Sequence, residues 1–189
     1  MTDDPRQRFF DAAHEILSTE GYGALKQAAV CRKLGVTTGA FYHTFKNWQE
    51  FTDSLLDDWL RERTQVIADV ARRLDDPITQ LETLREAAIS LRHGSEAAIR
   101  IWSGTDANVA AIQLAVDEGR FEVVQEVMKK LVGPKEAPRY AWWGLDVLVG
   151  YEQVGHRQTV DDLRWQLDQV LQAAANAQSA PSRRRRASA

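Results

Sequence analysis

Residues Leu25 to Phe45 constrain the fold more than any other stretch, because apolar side chains recur there at helical spacing on both sides of one glycine. Val30 and Leu34 precede Gly35, and Phe41 and Phe45 come after it; each pair is four residues apart and so stacks on one helical face. Gly35-Val36 supplies the break between them. Thr37, Thr38, Tyr42, His43 and Thr44 place hydrogen-bonding tips on the second segment. Two short helices joined by a Gly-containing turn are the layout of a helix-turn-helix, whose second helix enters the major groove.

The same stretch carries charge of one sign. Between Tyr22 and Asn47 there are four cations (Lys26, Arg32, Lys33 and Lys46) and no Asp or Glu, in a chain of net charge −3. The run Arg183-Arg184-Arg185-Arg186 sits near the end; residues 1–182 alone hold 20 basic and 27 acidic side chains, a net of −7. A local island of +4 on an acidic protein is where a polyanion docks. Acidity elsewhere does not oppose this, because phosphate contacts need cations on one face only.

Residues 35 to 45, Gly-Val-Thr-Thr-Gly-Ala-Phe-Tyr-His-Thr-Phe, closely resemble the recognition-helix signature of the tetracycline-repressor (TetR) family. Phe9 through Gly21-Tyr22 resembles that family's first helix and the Gly-aromatic break that ends it. The resemblance implies an all-α transcriptional regulator, a repressor released from a two-fold DNA operator by a small-molecule effector. It also implies a three-helix helix-turn-helix DNA-binding domain (1–46) and a helical effector-binding and dimerisation domain (47–175), while the Ala/Ser/Pro/Arg composition of 176–189 reads as a disordered basic tail. In such a molecule Tyr42 and Thr37 would meet phosphate oxygens. With Phe41 and Phe45 inward, Thr38, Tyr42 and His43 project outward, Ala40 and the Thr methyls suit a thymine methyl, and Lys46 neutralises backbone charge. No Arg, Asn or Gln lies on this helix, so specificity is expected to lean on apolar contacts, hydroxyls and DNA shape. Two positions depart from the family pattern. Trp48 stands where a Lys commonly opens the fourth helix, and Lys26 stands where a Thr commonly caps the second, adding charge near the DNA.

The remaining sequence predicts helices, about nine in all. A hydrophobic content of 44% suits a globular chain; five prolines, no Asn-Gly turn and few β-branched runs disfavour sheets. Asp4-Pro5 opens the first helix, whose stripe is Phe9, Ala12, Ala13, Ile16 and Leu17, with Gly21 as its stop. A fourth helix is expected from Asn47 through Phe51, Leu55, Trp59, Val66 and Val70 to Leu74. Asp75-Asp76-Pro77 begins a fifth, closed by His93-Gly94, and a short sixth holds Ile99, Ile101 and Trp102. Asp106 caps a long seventh, kinked or closely packed at Gly119 and stopped by Gly133-Pro134. The eighth, Pro138 to Val154, is apolar on most sides; Thr159 and Asp162 cap the ninth.

The eighth and ninth helices resemble the family's dimer-forming pair, with Trp142, Trp143, Leu145, Val149, Leu163, Leu167 and Val170 as candidate interface residues of a homodimer. Trp59, Trp102 and Phe121 are candidates for an effector pocket, although aromatic residues at helical spacing are commonly plain core. Cys31, four residues before Gly35, reads as packing in a position that wants a small residue. His14, His43, His93 and His156 are scattered and no second cysteine is present, so no metal site or cofactor is expected. No phosphate loop, nucleophile elbow or acid–base pair marks an enzyme. The single cysteine, the absence of a signal-peptide core and the lack of any apolar run near ~20 residues make a cytoplasmic protein the expectation. The competing expectation is a helical adaptor that kept the fold and lost its operator, for which Trp48 is the support.

Overall fold

Helices begin where the sequence supplies capping side chains. In the computed structural model, described for residues 4–154 and 157–179, Asp4 accepts the Arg6 N–H at 2.9 Å and opens α1 (Pro5–Glu20). Gly21, at φ 77°, ends it. Lys26 makes no side-chain cap bond to α2 (Gln27–Leu34), and Gly35 ends that helix in the left-handed region at φ 66°, ψ 29°. Thr37 caps α3 (Thr38–Thr44) and Asn47 caps α4 (Trp48–Leu60). After α5 (Val66–Arg72), Asp76 accepts the Thr79 N–H at 2.8 Å and its hydroxyl at 2.7 Å at the start of α6 (Pro77–Ile89). Then come α7 (His93–Ser103), α8 (Ala107–Val132) behind Asp106, α9 (Ala137–Val154) and α10 (Val160–Ser179). The α10 cap is reciprocal: Thr159 N–H donates to Asp162 Oδ2 at 2.7 Å, and Asp162 N–H to Thr159 Oγ1 at 3.2 Å. Among the described residues there are ten α-helices and no strand.

The fourth expected helix is two helices. A π turn at Arg61–Gln65 separates α4 from α5. Val66 and Val70 of the expected stripe are exposed, while Ala68 and Ala71 are buried. The fifth expected helix stops at Ile89, and His93-Gly94 begins α7 rather than closing its predecessor. At the C-terminus the helix runs on to Ser179, past the expected limit at Asn176. Arg183 to Arg186 and His156 lie outside the described residues.

Contacts gather the chain into two compact units, Met1–Gln65 with Leu91–Asp117, and Val66–Ser90 with Glu118–Ala189. The first has one core, in which Phe41, Phe45, Phe51, Leu55, Trp59, Ile99 and Val109 are almost wholly buried. That core crosses residue 46 without a break, since the Phe45 and Phe51 rings lie 5.0 Å apart. Helix α7 lies against α1. A Cβ on Gly94 would stand 2.8 Å from the Ser18 carbonyl oxygen, so only glycine permits this approach. Buried His14 is hydrogen-bonded through Nδ1 to Ser95 Oγ at 2.7 Å, and Arg92 donates to Asp11 at 2.8 Å.

The second unit packs Ala68, Ala71, Leu81, Leu84, Val123, Val127, Met128, Leu131, Val170 and Ala174. Buried Gln80 donates to the Ala71 and Leu74 carbonyls at 3.1 and 2.7 Å, and accepts from Lys130 Nζ at 2.9 Å. It thereby satisfies carbonyls that the end of α5 leaves open. Ion pairs Arg85–Asp168 and Arg164–Glu86 tie α6 to α10. No helix among the described residues is long and apolar enough to cross a membrane.

Candidate nucleic-acid interface

Helix α3 is oriented by its buried aromatic side. Phe41 packs edge-on to Phe9 at 5.6 Å and to Phe51 at 5.5 Å; Phe45 packs edge-on to Phe9 at 5.6 Å. Edge-to-face contacts of this kind add specificity beyond area burial. The Arg6 guanidinium sits 4.7 Å from the Phe45 ring centroid and donates to Ser54 Oγ at 2.6 Å, holding the start of α1 against α4. Buried Val30 and Cys31 fix α2 on the other side, and burial pushes the Cys31 thiol up, which suits a packing residue rather than a reactive one. The turn between α2 and α3 is closed by Val36 N–H on the Cys31 carbonyl at 3.0 Å.

With one face committed inward, the other is open. Thr37, Thr38, Gly39, Tyr42, His43 and Lys46 are exposed, Tyr42 at 54%, and Ala40 is half-buried. Lys26 and Arg32 are exposed on α2. Thr37 also has a structural task, since its Oγ1 accepts the Ala40 N–H at 3.2 Å. Thr44 is not a free tip: its hydroxyl donates back to the Ala40 carbonyl at 3.3 Å. Lys33 is held by Glu15 of α1, so one of the island's four cations already has a carboxylate partner. A further carboxylate stands close by, for Lys46 N–H donates to Glu50 Oε2 at 2.7 Å and Glu50 N–H to Asn47 Oδ1 at 2.8 Å.

Trp48 has a place in the head's own packing. Half-buried, its ring lies 6.1 Å from Phe41 and 4.9 Å from Phe51, continuing the aromatic cluster under the reading helix. The departure from Lys at this position therefore has a packing cause.

The other candidates separate. Trp59 and Trp102 are buried in the first unit's core, where Trp59 Nε1 donates to buried Glu96 at 2.8 Å and Trp102 stacks on Tyr22 at 4.7 Å. Phe121 belongs to the second unit, half-buried and stacked on Trp142 at 4.6 Å. Of the residues named for a dimer surface, Leu145, Leu163 and Val170 are buried within the chain itself, Val149 and Leu167 are half-buried, and Trp142 and Trp143 are exposed at 51% and 43%. One pattern was passed over in the sequence: Trp143, half-buried Val147, Gly150 and exposed Val154 take a 4-3-4 spacing along one face of α9. The spacing was legible; the uniformly apolar composition of this helix hid it. Acidic residues read as solvated faces include two buried ones, Glu96 and Glu152.

Residues 9–54 match the family model of bacterial regulatory proteins, tetR family. No curated protein sequence matches the chain. Solved structures do. A transcriptional regulator from Rhodococcus sp. RHA1 is 18% identical, with a TM-score of 0.75 over 93% of this chain and 99% of that one. A regulator of the TerR/AcrR family from Aquifex aeolicus VF5 is 14% identical, with a TM-score of 0.72 over 89% and 98%. FadR from Bacillus subtilis, solved in complex with stearoyl-CoA, is 15% identical, with a TM-score of 0.66 over 90% and 98%. Residues 9–54 are thus similar to the N-terminal helices of tetR-family bacterial regulatory proteins, and the chain as a whole has the fold of the solved transcriptional regulators it matches.

Proposed function

We propose that this chain represses transcription as a homodimer on a two-fold DNA operator, and that a small molecule held by its helical C-terminal region releases it. The observation that carries this is the division of α3 into two faces, Phe41 and Phe45 buried and Thr38, Tyr42 and His43 exposed beside an island of cations. Lys26, Thr37, Thr38, Ala40, Tyr42, His43 and Lys46 form the DNA surface. A single seven-residue helix reads little sequence; two of them, on half-sites about 34 Å apart, multiply it.

The seam Trp143, Val147, Gly150 and Val154 supports the dimer, because a left-handed helix pair buries a 4-3-4 stripe. A Cβ on Gly150 would meet nothing within 4 Å in its own chain, which leaves room for a second helix. An effector acts only through different affinity for the DNA-competent and released states, so occupancy alone does not release the operator. The adaptor reading drew on Trp48, whose place in the aromatic cluster under α3 gives that residue a packing task of its own.

The test is fluorescence anisotropy with promoter-proximal and random duplexes at about 150 mM salt. A regulator prefers the former, and Thr38→Ala with Tyr42→Ala removes the preference. Equal affinity for both duplexes in the unaltered protein refutes operator reading.

A further inference from the structure

Every glycine in the head with a positive φ has a conformational reason to be there. Gly21 and Gly35 end helices at φ 77° and 66°. Gly94 is required by contact, since a Cβ there would strike Ser18 backbone atoms at 2.8 and 3.0 Å. Gly23 lies in a short 3₁₀ turn, where no long helix is weakened by it. Gly39 has none of these reasons. It is the second residue of α3, in the first turn, its φ is not positive, and a Cβ added to it would meet only Thr37 Oγ1, at 3.5 Å, an unstrained contact.

Glycine is the poorest helix former after proline, so alanine, the best one, would serve the helix at least as well at this position. The residue is nevertheless exposed, with Thr38 beside it and Tyr42 and His43 one turn on. Nothing that the chain packs against Gly39 asks for a bare backbone here.

We propose that Gly39 is the point of closest approach between the reading helix and the operator duplex, where a Cβ would prevent α3 from seating in the groove. This rests on the operator-binding reading and adds a positioning role to it. A methyl carbon stands about 1.5 Å outside Cα. Lifting the helix by even about 1 Å would stretch the hydrogen bonds of Thr38 and Tyr42 beyond their working range. Gly39 thus sets the depth at which its neighbours read. A duplex is the occupant because the segment from Gly23 to Lys46 is free of acidic residues and carries cations.

The experiment uses the full chain, labelled duplexes tiling the intergenic DNA beside its gene, and a shuffled duplex of equal composition. Gly39→Ala, Gly39→Ser and Gly39→Val are compared with the unaltered protein by anisotropy and by thermal melting. Gly39→Ala is expected to melt no lower than the parent and to bind the best tile at least tenfold more weakly, with shuffled-duplex affinity within about threefold. The loss should grow with side-chain volume, Val exceeding Ala. If helix stiffening were the cause, Ala would be the worst and Val milder, and that order overturns the proposal. A lower melting temperature for Gly39→Ala also overturns it, because the fold would then need the glycine. Retained tile affinity in Gly39→Ala refutes the proposal while operator reading stands. Equal binding of tile and shuffled duplex by the parent protein refutes both.

Discussion

Gly94→Ala puts the packing of α7 on α1 to a quantitative test. The added Cβ would stand 2.8 Å from the Ser18 carbonyl oxygen, 3.0 Å from its Cα and 3.2 Å from its Cβ. Two of these three are backbone atoms inside a helix, which cannot swing aside as a side-chain tip can. Over-packing of this kind costs about 1–3 kcal/mol, and the rigidity of the obstacle places it near the upper end. Replacing glycine by alanine in a helix returns at most about 1 kcal/mol. The net is a destabilisation of about 2 kcal/mol, which for a chain of this length lowers Tm by roughly 4–8 °C. Circular dichroism melting and urea titration measure it directly. Ser18→Gly makes a useful companion, since it removes only the most distant of the three atoms; the double variant should recover less than half of the loss. If Gly94→Ala melts at or above the parent temperature, the close approach of α1 and α7 is wrong. Full rescue by Ser18→Gly would assign the clash to the side chain and refute the backbone contact.

Other parts of the molecule give four further expected outcomes. Gly150→Ala, with nothing within 4 Å of its new methyl, should leave the protomer's fold no less stable while weakening self-association in sedimentation; unchanged association removes α9's glycine from the dimer surface. Trp59→Phe strips buried Glu96 of an indole donor at 2.8 Å, and chemical denaturation should register a loss of about 2 kcal/mol; a neutral result would mean that this hydrogen bond contributes nothing net. Hydrogen bonds from the Thr159 backbone and hydroxyl hold the Asp162 carboxyl below its ordinary value, so its support of the α10 cap is complete above about pH 3.8 and fades as pH falls through the lowered value. Acid titration of Asp162→Asn should lack that component, and an identical acid profile would disprove it. Lys26→Ala and Lys46→Ala should each lower the salt slope of DNA binding by about 0.9; an unchanged slope places that lysine off the phosphate backbone.

Much of the reading head was legible in the sequence because its determinants are local. A left-handed glycine, a threonine cap and two phenylalanines four apart decide where α2 stops, where α3 starts and which side of it faces in, without reference to distant residues. The caps at Asp4, Asp76, Asp106 and Thr159–Asp162 were visible for the same reason. Tertiary structure decided what depends on neighbours far along the chain. Periodicity carried the α4 stripe straight on to Val66 and Val70, but a π turn ends that helix's regular spacing, and in α5 Ala68 and Ala71 are the buried residues. Leu145, Leu163 and Val170 look like interface residues from composition, yet the chain itself covers them, because hydrophobicity marks a residue for burial without naming the partner. Trp48 and Gly94 make the same point: an aromatic stack under α3 explains the one and the backbone of Ser18, in a helix far back along the chain, explains the other, and pattern alone holds neither.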